Sequence, residues 1–394
     1  MPSARPLFIT GAARGGTNLA ARMLDAHPAV SVAVDPYFPL FLSLRDAIVR
    51  AAGLQAAAGR PLQDYYFTDA GVHELDALLD GDLEVPVDAS ELAGLRAAVA
   101  GRAESDAGEI VPFVGRLGGT TYRELFDSAL AAIAAARPEQ VAWRGCKEVW
   151  VIDLFRPLAR AYPEARFVLL HRDPRAVLAS MLTLAQRDPS QRAHPLSYLR
   201  HWRKAVAVGE RFSDDPLFAG RLLVIRYEDL VRDPESSARR LATFLELQED
   251  AAMLGAAGFR DLARGGRWAG NSSYDDAHDG IAADRVARWR DSLDPRAVML
   301  AELVCDPELA LLGYESAGGF DEADVLEYLV ETNRDPGSWR SDSGDPVRDL
   351  EDELDRRRLL DGRARAEPSA VRRAFLFDDV FAQLRDAQTA KVVS

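Results

Sequence analysis

The sequence has few cysteines and no long apolar run. Its two cysteines, Cys146 and Cys305, lie far apart, so they form neither a disulfide framework nor a zinc-binding spacing. We therefore expect a reducing, cytoplasmic setting. No stretch reaches ~18 uninterrupted apolar residues, and the apolar run after Arg5 is too short for a signal peptide. The sequence thus predicts no transmembrane segment.

Net positive charge is also absent. The 394 residues carry a formal net charge of −14, which argues against non-specific nucleic-acid binding. Any bound anion must therefore meet a local group of basic residues. Hydrophobic residues make up 48% of the chain, enough for a large core.

The N-terminal glycine-rich segment lacks the lysine of a nucleoside-triphosphate loop. A short apolar run, residues 7–10, leads into a turn with Gly11 and Gly16 at Walker A spacing, followed by a helical pattern. Thr17 replaces the lysine and Asn18 the Mg²⁺-binding hydroxyl. Without these groups the loop suits a less charged ligand, such as one 5′-phosphate bearing a sulfuryl group. An ordinary βα turn is the alternative. The predicted anion-binding residues are Gly11, Arg14, Gly15, Gly16, Thr17 and Asn18.

Strand and helix patterns alternate along the chain. Apolar segments at 30–35, 141–147, 166–170 and 221–225 predict further strands, and a helix is expected over about 150–161. Asp173-Pro174 and Asp233-Pro234 are typical helix starts. The alternation predicts an α/β fold with a doubly wound, mostly parallel sheet.

The remaining segments are predicted to be mainly helical. Residues 41–135 are alanine-rich and form a helical insertion, with helix starts expected at 88–90 and near 120–121. We predict one domain over 1–317, with 41–135 on the acceptor side, and a C-terminal helical extension over 318–394. Residues 334–347 are predicted to be a linker or surface loop, and 351–358 a charged helix. A helical apolar face is expected from Ala374, Phe377, Phe381 and Leu384.

A second anion site is predicted after the strand at 166–170. Arg172 follows that strand beside a helix start, where ligands bind in doubly wound sheets. Ser180 lies about two helical turns later, on roughly the same side. A guanidinium and a hydroxyl there would suit a phosphate. The alternative is that Arg172 pairs with Asp173 or Asp229.

These segments together resemble the sulfotransferases that use 3′-phosphoadenosine 5′-phosphosulfate (PAPS). Residues 11–18 are similar to the family's 5′-phosphosulfate loop, and residues 172–180 to its 3′-phosphate motif. Residues 226–234 match a strand-end segment that commonly follows. Residues 268–273 and 281–290 resemble the late loop that closes on the 3′-phosphate. The resemblance implies PAPS as donor, adenosine 3′,5′-bisphosphate as product and no metal.

The resemblance also implies roles for individual residues. Arg14 holds the position of the loop cation that stabilises the leaving group, and Lys147 that of a second cation in carbohydrate-type relatives. A solvated strand end is the alternative for Lys147. Trp289 is expected to be a core aromatic residue. The further nucleotide-binding residues that the resemblance implies are Arg172, Ser180, Tyr227, Asn271, Ser272 and Arg285.

The general base is the least defined position. Asp35 occupies a place similar to that of the catalytic glutamate in glycan sulfotransferases, although aspartate is shorter. Glu148, beside Lys147, is the second candidate. His27, in a His-Pro turn, and His171, at a strand end, rank third.

The expected activity is transfer of a sulfuryl group to a hydroxyl of a small molecule, a sugar or a lipid-linked acceptor. One alternative is a nucleotide kinase-like phosphotransferase, which the missing loop lysine disfavours. The other is a non-catalytic nucleotide-binding homologue, which the presence of Asp35 and Glu148 disfavours. Neither the acceptor nor the oligomeric state follows from the sequence.

Overall fold

The structure is a computed structural model, and it describes most of the chain. The described residues are 4–55, 64–137, 140–188, 194–255, 259, 281, 283, 286–316, 319–334 and 343–393. In this part of the chain no helix is long and apolar enough to cross a membrane.

Five parallel strands form one sheet in the described residues, in the order β2-β3-β1-β4-β5. The strands are β1 (Arg5–Gly11), β2 (Val30–Val34), β3 (Trp143–Lys147), β4 (Arg166–His171) and β5 (Leu222–Arg226). Because helices connect successive strands, the predicted α/β class is confirmed, and the sheet that was expected to be mostly parallel is fully parallel here. Every residue of β4 after Arg166 is buried, as expected for a strand covered on both faces.

Helices occupy most of the remaining described chain. They are α1 (Thr17–Asp25), α2 (Phe38–Ala51), α3 (Asp69–Asp80), α4 (Leu92–Asp106), α5 (Tyr122–Ala135), α6 (Phe155–Ala161), α7 (Pro174–Arg187), α8 (Pro195–Ser213), α9 (Tyr227–Arg232), α10 (Pro234–Phe244), α11 (Trp289–Ser292), α12 (Pro295–Leu311), α13 (Glu322–Asn333), α14 (Pro346–Leu360), α15 (Pro368–Phe375) and α16 (Asp378–Val393). The predicted helical character of 41–135 is confirmed where this segment is described.

Three of the predicted helix starts are confirmed and one is wrong. Asp173 and Asp233 cap α7 and α10 as predicted, because their side chains accept backbone N–H groups of the first turn. Thr121 caps α5 in the same way. The start expected at 88–90 is wrong, since Asp88 accepts the Ser90 N–H in a local turn and α4 begins at Leu92.

Two predicted elements are broken in the structure. The helix expected over about 150–161 is a 3-10 turn, Ile152–Leu154, followed by α6. The apolar positions Ala374, Phe377, Phe381 and Leu384 are all buried, but they do not share one helix. Leu376, at φ 66°, ends α15 before α16 begins. The charged segment 351–358 is helical as predicted, within α14.

By contacts, the chain divides into two compact units. The first contains Met1–Pro61, Asp76–His171 and Ser213–Ala283, and therefore the whole sheet. The second contains Leu62–Leu75, Arg172–Phe212 and Asp284–Ser394. Neither unit has a boundary at residue 317, so the division proposed from the sequence stays a prediction.

Candidate functional site

The carboxyl ends of the central strands place three predicted segments along one edge of the sheet in the first unit. β3 pairs with β2 through Val34 and Lys147, and with β1 through Ile9 and Lys147. The glycine-rich loop follows β1 and Asp35 follows β2. Parallel pairing thus brings the loop, Asp35 and Lys147 to the same edge.

The loop between β1 and α1 has the backbone of an anion-binding turn. Arg14 and Gly16 have φ angles of 60° and 90°, and the Gly15 N–H donates to the carbonyl of Ala12 at 2.9 Å. Gly16 is the residue before α1. Within this described segment, α1 has no side-chain cap and no acidic residue in its first turn. Its first N–H groups and its dipole therefore favour a bound anion.

Glycine is required in the loop because neighbouring atoms approach closely. A Cβ on Gly16 would lie 2.2 Å from Cδ2 of Tyr227, the first residue of α9. A Cβ on Gly11 would lie 2.5 Å from the carbonyl oxygen of Leu170. The ring of Tyr227 therefore packs against the predicted phosphosulfate loop.

Asp35 and Lys147 form an ion pair beside the loop. Lys147 Nζ lies 2.5 Å from Asp35 Oδ2, and the two side chains are 1% and 15% exposed. Lys147 is thus buried and paired, not a solvated strand end. The Asp35 N–H donates to the Lys147 carbonyl at 2.8 Å. Asp35 does not continue β2, because its φ of 57° turns the chain out of the strand.

Glu148 lies next to this pair in a different environment. Its side chain is fully buried, and Oε1 accepts the N–H of Tyr37 at 2.5 Å. Burial, followed by the negative charge of Asp35, raises the pKa of Glu148 well above its ordinary value. Burial and the nearby negative charge thus disfavour the ionised form of Glu148 relative to an exposed glutamate.

The second predicted anion site belongs to the second unit. Asp173 caps α7, and both of its carboxylate oxygens accept hydrogen bonds from Arg175 at 2.8–2.9 Å. Asp173 thus forms an ion pair with Arg175. The carbonyl of Arg172 accepts the indole N–H of Trp202 at 2.8 Å, and Ser180 is buried on α7.

His27 and Trp289, two further residues considered in the sequence analysis, make contacts that indicate structural roles. The His27 ring accepts the Ala29 N–H through Nδ1, and its Nε2 lies 3.0 Å from the Gln248 carbonyl, so its interpretation as a structural turn is confirmed. Trp289 is 9% exposed and stacks on Arg175, as expected of a core aromatic residue. Asn271, Ser272 and Arg285 lie outside the described residues, as does Trp268.

Two polar residues of α4 near Asp35, Arg102 and Asp106, are not indicated by any sequence pattern. Arg102 Nε donates to the Asp35 carbonyl at 2.8 Å. Burial, followed by the charge of Asp35, raises the pKa of Asp106. Nothing in the alanine-rich pattern of α4 marks these positions, because their partners are distant in sequence.

A model described as the sulfotransferase family matches residues 6–251, more than half of the chain. The chain belongs to the sulfotransferase family. Carbohydrate sulfotransferase 7 of Rattus norvegicus is 39% identical over 119 residues, covering 29% of this chain and 23% of that protein. Protein-tyrosine sulfotransferase 1 of Danio rerio is 28% identical over 206 residues, covering 49% of this chain and 55% of that protein. The chain thus matches about a quarter to a half of the length of these curated relatives.

Among solved structures, the sulfotransferase domain from the curacin biosynthetic pathway is similar to this chain. It is 17% identical, with a TM-score of 0.43 over 80% of this chain and 99% of that one.

Proposed function

We propose that this member of the sulfotransferase family transfers a sulfuryl group from PAPS to an acceptor hydroxyl. The observation that carries the proposal is the Asp35–Lys147 ion pair at the same sheet edge as an anion-binding loop without a Walker lysine. A nucleotide kinase would need that lysine. A purely nucleotide-binding homologue would not need a carboxylate at this edge.

The loop fits the phosphosulfate end of PAPS. Gly16 and Gly11 leave room where a Cβ would collide with Tyr227 and with β4, and α1 directs uncapped N–H groups into the loop. In the proposal these amides and Arg14 bind the phosphosulfate, while Arg172 and Ser180 bind the 3′-phosphate. PAPS would supply the sulfuryl group, and adenosine 3′,5′-bisphosphate would leave.

In the proposed reaction, Asp35 accepts the proton of the acceptor hydroxyl as the new oxygen–sulfur bond forms. Lys147 holds the carboxylate through Oδ2 and contributes positive charge beside the loop. Glu148 is less suited to this role, because its side chain is fully buried and its Oε1 already accepts the Tyr37 N–H.

The acceptor is proposed only as a class. The names of the matched relatives refer to carbohydrates and to protein tyrosine, both of which carry hydroxyl groups. A sugar, a tyrosine peptide and a lipid-linked alcohol are therefore the acceptors to test with labelled PAPS.

Nucleotide choice tests the proposal without knowledge of the acceptor. Adenosine 3′,5′-bisphosphate should raise the thermal midpoint more than ATP with Mg²⁺ does. A ligand at a hundredfold excess over its Kd adds ~2.7 kcal/mol of stability to the folded state. Arg172→Ala should remove most of the bisphosphate shift, because the phosphate loses a charge-assisted hydrogen bond of about 1.5–3 kcal/mol. Equal shifts from both ligands would contradict PAPS as the donor.

A further inference from the structure

The backbone of Asp35 is in a conformation that needs support. Its φ of 57° lies in the left-handed region, which most residues with a side chain avoid at a cost of roughly 1–2 kcal/mol. Aspartate is one of the few residues found there. The Asp35 turn, residues 35–37, must therefore be held by its surroundings.

The Tyr37 hydroxyl donates to the Ala129 carbonyl of α5 at 2.8 Å, and three further hydrogen bonds hold backbone groups of the Asp35 turn. Two come from the end of β3 and the residue after it: the Lys147 carbonyl accepts the Asp35 N–H at 2.8 Å, and Glu148 Oε1 accepts the Tyr37 N–H at 2.5 Å. The third comes from α4, where Arg102 Nε donates to the Asp35 carbonyl at 2.8 Å. Arg102 is therefore the one anchor of the three that is not attached to the sheet.

Arg102 is itself held in place by the segment that it supports. Its guanidinium carbon lies 5.3 Å from the ring centroid of Phe38, the first residue of α2. This contact fixes the side chain over the start of α2, directly after the Asp35 turn. Arg102 thus links α4 to both the turn and the following helix.

The carboxylate of Asp35 depends on this backbone geometry. Oδ2 is bound by Lys147 at 2.5 Å, whereas Oδ1 is buried and has no hydrogen-bond partner within the described chain. A change in the φ angle of Asp35, now 57°, would move Cβ and with it the carboxylate relative to Lys147. Because misplacement by ~1 Å can lower a rate about 10²-fold, the anchor of this peptide affects the chemistry.

We propose that Arg102 is a positioning residue, which holds the Asp35 turn so that the Asp35 carboxylate faces the acceptor in the orientation set by Lys147. The inference rests on the proposed function, since Asp35 must be the proton acceptor for its orientation to affect turnover. It assigns a role in the reaction to α4, in the segment predicted to lie on the acceptor side.

The test compares two arginines of α4 that make the same kind of contact. Arg96 Nε donates to the Leu117 carbonyl at 2.6 Å, away from the Asp35 turn. Arg102→Gln should lower kcat about 10²-fold while the Kd for adenosine 3′,5′-bisphosphate changes less than about twofold. Arg96→Gln should leave kcat near the wild-type value. Arg102→Lys, which keeps a donor and the charge, should recover part of the loss.

A structural measurement provides a readout that does not depend on activity. In a crystal structure of Arg102→Gln, residue 35 should leave the left-handed region, and the Lys147–Asp35 contact should lengthen beyond its present 2.5 Å. An unchanged turn in that variant would overturn the positioning role, whatever the activity. An equal loss of kcat in Arg96→Gln would also overturn it. Absence of sulfuryl transfer by the wild-type protein would instead refute the proposed function and leave the structural test in force.

Discussion

Asp35 and Glu148 are two carboxyl groups beside the same strand, and their surroundings give them different chemistry. Asp35 is partly exposed and bound to a cation, whereas Glu148 is fully buried and accepts a backbone N–H. Burial, followed by the charge of Asp35, raises the pKa of Glu148 well above its ordinary value. Only a deprotonated carboxylate can take a proton from the acceptor.

Asp35→Asn should therefore separate binding from chemistry. The amide keeps the shape of the side chain and tolerates the left-handed backbone, but it removes the basic oxygen. We expect the affinity for adenosine 3′,5′-bisphosphate to stay unchanged while turnover falls ~10²–10⁴-fold. Calorimetry and a labelled-PAPS assay measure the two quantities.

Glu148→Gln is the matched control for Asp35→Asn. Glutamine keeps an oxygen that can accept the Tyr37 N–H, so turnover should stay close to wild type. If Glu148→Gln abolishes turnover while Asp35→Asn is nearly silent, Glu148 is the base. If both variants are silent, proton removal by a carboxylate is not required.

Gly16→Ala should damage the loop in two ways. Alanine is strained at a φ of 90°, and its Cβ would collide with the ring of Tyr227. Gly220 offers a control, because its φ is 65° and nothing lies within 4 Å of a Cβ built there. Gly220→Ala should lower the free energy of unfolding by roughly 1–2 kcal/mol, the cost of the left-handed backbone alone.

Urea unfolding and bisphosphate binding measure the difference between these glycine variants. Gly16→Ala should lose more stability than Gly220→Ala, and it alone should weaken bisphosphate binding. Equal stability losses with unchanged binding would show that Tyr227 does not restrict the loop.

At the scale of elements, the sheet was predictable because buried parallel strands are continuous apolar runs. The predicted segments 166–170 and 221–225 agree with β4 and β5 within about one residue, although only Ile225 of β5 is buried. The positions of Asp35 and Lys147 at strand ends also followed from the sequence. Their pairing did not, because it depends on the register between β2 and β3.

The contribution of α4 could not be predicted. Its sequence has no distinct apolar face, and Arg102 contacts a residue 67 positions earlier. The break at Leu376 was missed for a related reason, since the apolar spacing continues across it. Long-range contacts of single polar side chains leave no periodic signal.

An ionic cluster joins α8 to α14 in the second unit. Glu353 binds Arg200 at 2.8 Å and Arg203 at 2.6 Å, and all three side chains are almost completely buried. Burial alone would raise the pKa of Glu353. The positive charges of Arg203 and Arg200 outweigh burial, so the pKa lies below its ordinary value. The carboxylate thus stays ionised and offsets two buried guanidinium charges.

Glu353→Ala should be strongly destabilising. Removing one member of a buried ion pair leaves an uncompensated charge and costs about 3–5 kcal/mol. Glu351→Ala, at an exposed position of the same helix, is the control and should change the urea midpoint little. A loss below about 1 kcal/mol for Glu353→Ala would mean that the arginines find other partners or water.

Two buried histidines, one in each unit, link the folding stability of the protein to pH. Burial lowers the pKa of His171 to about 4, and burial with the nearby Arg200 outweighs Asp349 in lowering the pKa of His194 to about 4. In the unfolded chain both have pKa values near 6.5. Between pH 6.5 and 4 the unfolded chain therefore binds protons that the folded chain does not.

This difference in proton binding determines whether the stability of the folded protein rises or falls with pH. The stability contributed by the neutral histidines is present above pH 6.5 and is lost as the pH falls towards 4, by about 1 kcal/mol per pH unit for each histidine. Glu148 and Glu308 act in the opposite direction, because their pKa values are raised. The histidine contribution must therefore be isolated by substitution.

The measurement is the change in the free energy of unfolding by urea between pH 6 and pH 5. A His171→Gln/His194→Gln variant should lose less stability over this interval than the wild type, by about 2 kcal/mol if the two contributions are additive. His73→Gln, at an exposed position, should match the wild type. If the double variant and the wild type lose the same stability, the two histidines are already protonated in the folded protein at pH 6, and burial does not keep them neutral.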